Sequence, residues 1–269
     1  MMEAAKNQLM AGKRGLVLGI ANDHSIAYGI ARALHGAGAE LAITYQGDSF
    51  LKRVEPLAAS LDCQLLMPCD VSDPDSLDAL FAAINERWGS LDFLVHAIAY
   101  SDRAELSGRY VDTSRENFVQ TLCISCFSFT DLARRAAALM TNGGAMVTLS
   151  FLGAHRVMPS YNVMGVAKAA LETSVRYLAE DLGKDNVRVN AISAGPMRTL
   201  AGAAIADGRY VHKYAGQHAP LPNGLDLEAV GNSGLYLLSG LSSAVTGEVM
   251  NVDNGFNLIG IPRPGNNGD

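Results

Sequence analysis

Tyr161 and Lys168 are the two residues of this chain whose types and spacing could do chemistry. They stand seven positions apart in segment 150–168, SFLGAHRVMPSYNVMGVAK. At about 100° of rotation per residue, a helix brings such side chains to nearly the same face, two turns apart. A tyrosine near a lysine can donate a hydrogen bond or a proton to an oxygen that gains negative charge, because the cation favours the phenolate form. With a hydride donor nearby this is reduction chemistry, and the alternative is a packed ring beside a solvated amine.

The elements that would position this pair follow a regular alternation. Short apolar runs alternate with longer helical patterns, which is typical of βαβ units around a parallel sheet. Strands are predicted at residues 14–18, 40–45, 64–69, 91–96, 144–149, 187–192 and 248–252. Helices are predicted at residues 26–37, 48–60, 75–88, 114–140, 160–183 and 227–238. We therefore predict an α/β fold, a Rossmann-like doubly wound sheet of seven parallel strands with helices on both faces.

We expect one domain over residues 1–269, with an ordered core at about 12–260 and short tails, because no linker or repeat divides the chain. Segment 199–224 interrupts the alternation with several glycines and prolines after the sixth strand. Open α/β sheets bind ligands beyond the carboxyl ends of their strands. The segment is therefore interpreted as a substrate lid, built as a loop or as short helices.

A nucleotide site is indicated where the first strands end. Gly19 allows a tight turn, and Ser25 can cap a helix whose N-terminus favours a pyrophosphate. The spacing differs from G-x-G-x-x-G, so an ordinary βα loop is the alternative. Gln46 follows the second strand in a turn without Arg or Lys, which favours NAD(H) over NADP(H). Asp70, at the end of the third strand, can accept a hydrogen bond from an adenine or can serve as a turn residue.

Composition excludes several classes of protein. The chain has 269 residues, 49% of them hydrophobic, and a net charge of -6 without a basic block, which argues against nucleic-acid binding. Glu3 and Lys6 stand where a secretion signal would be apolar, and no 18-residue apolar run follows. We expect a cytoplasmic protein that does not bind membranes. Cys123 and Cys126 lack a second pair at zinc spacing, so we expect core cysteines and no metal site.

Several motifs together resemble the enoyl-acyl-carrier-protein reductases of the divergent short-chain dehydrogenase type, from about residue 12 to 259. The motifs are G-x5-SIAYGIA from Gly19, TYQ from Thr44, CDV from Cys69, YNVMGVAK from Tyr161 and VRVNAISAGPMRTL from Val187. The resemblance implies hydride transfer from NADH to an enoyl thioester on acyl carrier protein, in fatty-acid biosynthesis. It also implies a homotetramer.

The resemblance implies roles for individual residues. Tyr161 would stabilise the thioester oxygen as it gains charge, and Lys168 would hold the nicotinamide ribose. The implied cofactor-binding residues are Gly19, Ser25, Ile26, Gln46, Asp70, Val71, Ile98, Lys168, Ile192, Met197, Arg198, Thr199, Leu200 and Ala201. The implied substrate-binding residues are Ala99, Ser101, Phe151, Tyr161 and Met164.

Two departures from the family pattern bear on the substrate. Phe151 stands where the family normally has a second, outer tyrosine, so an apolar wall replaces a hydroxyl. Ala99 replaces a common glycine, and the added methyl group narrows the pocket. The lost outer tyrosine, together with Pro222 and Asn223 in the lid where the family commonly has an arginine pair, leaves a second hypothesis, a nucleotide-binding regulator without useful turnover.

Two further hypotheses are disfavoured by single residues. Ordinary short-chain dehydrogenases have their tyrosine four residues before the lysine, where this chain has Met164. A carbonyl or alcohol substrate is therefore disfavoured. Ser150 near His155 resembles a hydrolase pair but lacks the G-x-S-x-G elbow.

Overall fold

Seven strands in the described part of the chain form one parallel sheet. The computed structural model describes residues 8–222 and 224–262, so most of the predicted tails and Asn223 of the predicted lid lie outside the described residues. The strands are β1 Arg14–Leu18, β2 Glu40–Tyr45, β3 Leu65–Pro68, β4 Phe93–His96, β5 Gly144–Ser150, β6 Val187–Ala194 and β7 Val249–Val252. Their order is β3-β2-β1-β4-β5-β6-β7, and every neighbouring pair is parallel. The predicted fold class is confirmed.

Helices cover both faces of this sheet. They are α1 Ile26–Gly36, α2 Asp48–Ala59, α3 Pro74–Trp88, α4 Arg103–Leu106, α5 Arg115–Leu122, α6 Ser128–Leu139, α7 Asn162–Gly183, α8 Leu200–Ala204, α9 Gly208–His218 and α10 Leu227–Leu238. No helix in the two described ranges is long and apolar enough to cross a membrane.

Strand side chains alternate between two apolar clusters, as the pleat of a sheet requires. Val17 of β1 packs into one cluster with α1, α2 and α10. Leu16 and Leu18 pack into the other with α3, α6 and α7. Because both faces are buried, the strands are apolar almost throughout. This two-sided core fixes α1 and α7 against the sheet, and both helices reach the site.

The sheet order places a crevice between β1 and β4. From β1 the chain proceeds outward to β2 and β3, then returns to β4 on the other side. The loops after β1 and β4 therefore leave in opposite directions and open a space beyond the carboxyl ends of the strands. Gly19 and Ala97 face each other there: a Cβ on Gly19 would lie 2.1 Å from the Ala97 carbonyl oxygen. Gly19 also has a φ of +101°, a conformation that glycine adopts readily.

Three local predictions differ from the structure. The predicted helix 114–140 is interrupted by a π-helical turn, Cys123–Phe127. Cys123 is exposed on this turn, so the expectation of two core cysteines is wrong for it, whereas Cys126 is half-buried against the core. The third strand is predicted at residues 64–69 but covers only Leu65–Pro68, so Cys69 follows it.

The predicted lid contains two short helices, α8 and α9, in agreement with the short-helix alternative. Polar side chains cap the N-termini of α8 in this segment and of α10 after it. Thr199 Oγ1 accepts a hydrogen bond of 2.9 Å from the Gly202 amide at the start of α8. Asp226 caps α10 in the same way through the Ala229 amide. The Thr199 hydroxyl, implied by the resemblance to bind the cofactor, thus caps α8 as an acceptor and keeps its own proton for donation.

Candidate active site

The end of β5 and one face of α7 form the floor of a large cleft. The cleft has a volume of about 1030 Å³, and both Tyr161 and Lys168 line it. Three consecutive residues at the strand end contact three residues of one helix face. The Leu149 carbonyl oxygen accepts from Lys168 Nζ at 2.6 Å, and Ser150 Oγ donates to Glu172 Oε1 at 2.5 Å. The Phe151 ring packs edge-on against Tyr161, with ring centroids 5.0 Å apart.

Tyr161 is held at the N-cap of α7, one residue before the helix that was predicted to contain it. Its neighbours Ser160 and Asn162 both have positive φ, +54° and +34°. Ser160 Oγ donates to Asp207 Oδ2 at 2.6 Å, just before α9. Asn162 Nδ2 donates to the Glu105 and Gly108 carbonyl oxygens, each at 3.3 Å. Two strained residues, each fixed by a side chain, thus flank the phenol.

Gly153 provides the space that the Tyr161 ring occupies. A Cβ on Gly153 would lie 2.3 Å from Cδ1 of that ring. Gly165 lies against Gly153 in turn, and a Cβ there would be 2.8 Å from the Gly153 carbonyl oxygen. The ring therefore fits between Gly153 and Phe151, and substitution of either residue acts directly on it.

Burial controls the protonation of the pair. Desolvation raises the pKa of Tyr161 well above its usual range, and the charge of Glu172 raises this pKa further. Desolvation lowers the pKa of Lys168 to about 8, while Cys126 and Glu172 oppose that shift. The expectation that the cation would favour a phenolate is wrong here, because burial outweighs it. Tyr161 keeps its proton and serves as a hydrogen-bond donor.

The turn after β1 is closed by Ser25. Its Oγ accepts hydrogen bonds from the amides of Ala21 and Asn22, at 3.0 and 3.1 Å. Ser25 occupies the N-cap position of α1, but its side chain makes no capping bond to that helix, contrary to the prediction. The hydroxyl instead shapes the loop, which leaves the helix N-terminus beside the cleft able to favour a pyrophosphate.

The opposite end of the cleft suits an adenosine without a 2′-phosphate. Gln46 Nε2 donates to Asp70 Oδ2 at 3.5 Å, across the ends of β2 and β3. Asp70 Oδ1 also accepts from the Ser72 amide at 2.8 Å, so it serves as a turn residue too. Among the described residues that line the cleft, the lysine and arginine side chains are those of Lys168 and Arg103. Neither belongs to the Gln46 turn, so the residues present fit NADH better than NADPH.

Most of the predicted site residues line this one cleft. On the cofactor side these are Gly19, Ser25, Ile26, Gln46, Asp70, Val71, Ile98, Lys168, Met197, Thr199, Leu200 and Ala201. On the substrate side these are Ala99, Ser101, Phe151, Tyr161 and Met164. The hydroxyl of Ser101, which is half-buried, is hydrogen-bonded to Asn117 Oδ1 and Thr121 Oγ1, at 3.2 and 2.9 Å.

Ile192 and Arg198 do not line the cleft, unlike the other predicted site residues. β6 continues two residues beyond the predicted end, so Ala194 reaches the cleft while Ile192 is fully buried in the core. Arg198 is exposed and faces a separate pocket of about 210 Å³ with His24 and His212. Thr199 lines the cleft, and Met197 lines both the cleft and this smaller pocket.

Several residues of the site were not predicted. An apolar wall is completed by Leu106, Met158, Ile205 and Val211. Glu172, 1% exposed, lies below the cleft floor. Its position four residues after Lys168 was a signal that it lies on the same helix face. In the described ranges, no group of three His, Cys, Asp or Glu residues could hold a metal ion.

Comparison with known proteins identifies the family. A family model described as enoyl-(acyl carrier protein) reductase matches residues 19–257. A Rhizobium meliloti (strain 1021) protein named enoyl-[acyl-carrier-protein] reductase [NADH] 2 is 59% identical over 256 residues, covering 95% of this chain and 96% of that protein.

Solved structures agree. The crystal structure of FabI from Candidatus Liberibacter asiaticus has a TM-score of 0.93 and 56% identity, covering 95% of this chain and 99% of that chain. The Anaplasma phagocytophilum enoyl-acyl-carrier-protein reductase, solved in complex with NAD, has a TM-score of 0.93 and 54% identity, covering 96% of this chain and 98% of that chain. The resemblance read from the motifs is confirmed: the chain belongs to the enoyl-[acyl-carrier-protein] reductase family.

Proposed function

We propose that Tyr161 and Lys168 carry the reaction of this chain, an NADH-dependent enoyl-[acyl-carrier-protein] reductase of fatty-acid biosynthesis. The observation that supports these roles is that both side chains line one cleft and are fixed by the same strand end. The reaction adds a hydride to the β-carbon of a trans-2-enoyl thioester and a proton to its α-carbon. Negative charge gathers on the thioester oxygen between these events.

Tyr161 stabilises this charge by donating a hydrogen bond to the oxygen. Because its pKa is raised by burial, the hydroxyl is protonated throughout the physiological pH range. A donor fixed in advance acts most strongly on the charge that develops in the transition state. Gly153 and Phe151 hold the ring, so the hydroxyl does not have to be reoriented during the reaction.

Lys168 provides the positive charge of the site. Its hydrogen bond to Leu149 uses one of three N–H donors, and the others are available for ribose hydroxyls. When bound, NADH supplies the hydride from the C4 position of its nicotinamide. Gly19, Ser25 and the N-terminus of α1 would hold its pyrophosphate, and Gln46 and Asp70 would face its adenosine.

The acyl chain would lie against apolar side chains on the far side of Tyr161, namely Phe151, Met164, Leu106 and Ile205. The helices α8 and α9 would act as the substrate lid. Arg209 and Lys213 are exposed on α9 and would attract an acidic carrier protein. We also propose a cytoplasmic location for this enzyme.

We propose that the protein forms a homotetramer, as the family resemblance implies. Val119, Phe127 and Tyr177 are large apolar side chains that are 51%, 60% and 72% exposed on the helical elements α5 to α7. Burial of such side chains against second copies would favour assembly. Sedimentation equilibrium tests this directly, and a monomer at micromolar concentration would contradict it.

The reaction is tested by the loss of NADH absorbance with a trans-2-enoyl thioester. Tyr161→Phe should lower kcat/KM about 100-fold or more, as expected for a lost oxyanion donor, with NADH affinity nearly unchanged. Lys168→Ala should weaken both turnover and NADH binding. Tight NADH binding by the wild type without turnover would instead favour the nucleotide-binding regulator.

A further inference from the structure

Glu172 is a buried carboxylate on the same face of α7 as Tyr161 and Lys168. It follows Lys168 by four residues, so the two side chains lie one helical turn apart. It is 1% exposed. A carboxylate at such depth is costly unless charges or hydrogen bonds compensate for the lost water. The groups that compensate for it therefore indicate what this residue holds in place.

The two oxygens of Glu172 contact both ends of segment 150–155. Oε1 accepts the hydrogen bond from Ser150 Oγ at 2.5 Å. Oε2 accepts no hydrogen bond from the described residues but lies 2.5 Å from Nε2 of His155, an ion-pair contact when that imidazole is charged; the His155 side chain is 61% exposed. Phe151 lies within this segment and packs on Tyr161. Glu172 thus holds the stretch of chain that carries the Phe151 ring.

Glu172 also places negative charge next to the Lys168 ammonium. The other titratable groups that face Lys168 are Cys126, from the π-helical turn, and His96 of β4. Burial lowers the pKa of His96 to about 3, so its imidazole is neutral. Tyr161 is also neutral, because its pKa is raised. Among these described groups, Glu172 is therefore the carboxylate that can balance the buried cation.

We propose that Glu172 is a positioning residue for the Tyr161–Lys168 pair. Its negative charge stabilises the Lys168 ammonium inside the protein. Its hydrogen bond from Ser150 and its contact with His155 hold segment 150–155, so that Phe151 stays packed on the Tyr161 ring. The inference rests on the roles proposed above for Tyr161 and Lys168.

Glu172→Gln removes the negative charge but keeps the size of the side chain, and its amide oxygen can still accept the hydrogen bond from Ser150 Oγ. Without the negative charge, Lys168 loses its proton at a lower pH. The alkaline midpoint of the kcat/KM profile should therefore fall by at least about half a pH unit. Ser150→Ala keeps the charge, so it should lower kcat while leaving that midpoint in place. Glu180→Gln, at an exposed site on α7, is the matched control.

A second measurement needs neither cofactor nor turnover. Lysine labelled with ¹³C at Cε, observed by NMR in the cofactor-free protein, reports the protonation of Lys168 directly, and Lys168→Ala identifies its signal. Glu172→Gln should shift this titration to lower pH, and Glu172→Asp should give an intermediate midpoint, because the charge is withdrawn by one methylene. If Glu172→Gln does not fold, the Glu172→Asp variant provides the test. A Lys168 titration midpoint in Glu172→Asp that is equal to or above that of the wild type overturns the proposal.

The outcomes distinguish this inference from the proposed function. An unshifted Lys168 titration in folded Glu172→Gln overturns the inference alone, provided that Lys168→Ala still reduces turnover. The inference is also overturned if Ser150→Ala shifts the Lys168 titration as much as Glu172→Gln does, because Ser150→Ala retains the charge of Glu172. Wild-type turnover in Tyr161→Phe and Lys168→Ala overturns the proposed roles of those two residues, whatever Glu172 does.

Discussion

Lys168 Nζ donates a hydrogen bond of 2.6 Å to the carbonyl oxygen of Leu149. This bond fixes the ammonium at the end of β5, where the strand opens into the cleft. A lysine side chain has many rotamers in solution, and ordering it carries an entropic cost. Here that cost is met during folding rather than when the cofactor binds. The position of the charge is therefore set by the sheet.

NADH affinity should decrease as the pH rises through about 8. Burial lowers the pKa of Lys168 to about 8, so the side chain is charged below that pH and neutral above it. A neutral amine binds ribose hydroxyls and an anionic cofactor less strongly. Fluorescence titrations of NADH between about pH 6.5 and 9.5 should show the decrease, and Lys168→Met should remove it. Constant wild-type affinity over this range would contradict the prediction.

Gly153→Ala should impair turnover more than cofactor binding. The added methyl group would lie 2.3 Å from Cδ1 of Tyr161, so the ring must move. A misplaced donor slows the chemical step, and we expect kcat to fall about 10- to 100-fold with NADH affinity within about threefold. Gly183→Ala is the matched control, since a Cβ there meets nothing within 4 Å. Equal kinetics for the two variants would show that the ring accommodates the methyl group.

Phe151 should act as a wall rather than as a source of chemistry. Phe151→Tyr should leave kcat/KM within about threefold, because Tyr161 is the oxyanion donor. Phe151→Ala should lower it about tenfold or more, because the edge-on packing at 5.0 Å is lost. Steady-state kinetics with short and long enoyl thioesters tests both variants. A large gain in rate from Phe151→Tyr would show that an outer hydroxyl contributes to the reaction.

Gln46→Arg should increase the use of NADPH. Among the described residues that line the cleft, neither Lys168 nor Arg103 belongs to the turns that carry Gln46 and Asp70, where a 2′-phosphate would lie. A guanidinium at this position would supply two parallel hydrogen bonds to that group. We expect the NADPH-to-NADH ratio of kcat/KM to rise about tenfold or more, measured with one enoyl thioester. An unchanged ratio would place the ribose elsewhere in the cleft.

The fold and most of the cleft could be predicted because they depend on short-range patterns. Apolar runs specified the seven strands, and parallel topology brought their carboxyl ends together. The spacing of Tyr161 and Lys168 placed both on one helix face. Glu172 shares that spacing but was missed, since an acidic residue four positions from a lysine on a helix is commonly a solvated partner. Only the packing of α7 on β5 makes it buried.

Other features depend on long-range contacts that no local pattern encodes. Met197 lines both the cleft and the smaller pocket, whereas its neighbour Arg198 lines the smaller pocket and not the cleft. The positive φ values of Ser160 and Asn162 likewise depend on partners about 50 residues away in the sequence. No pattern of residue types indicated the π-helical turn at Cys123–Phe127.

The two left-handed residues around Tyr161 have a consequence for how the site is assembled. Ser160 is bonded to the start of α9, and Asn162 to the chain around α4, so the strain at each is maintained by an element on the substrate side. If either element detaches, its residue can relax to an ordinary backbone conformation and turn the phenol away. A protein with an intact sheet but a loosened substrate side would therefore still bind NADH and yet lack a correctly oriented hydrogen-bond donor. Nucleotide affinity alone is a poor measure of how much of such a preparation is active.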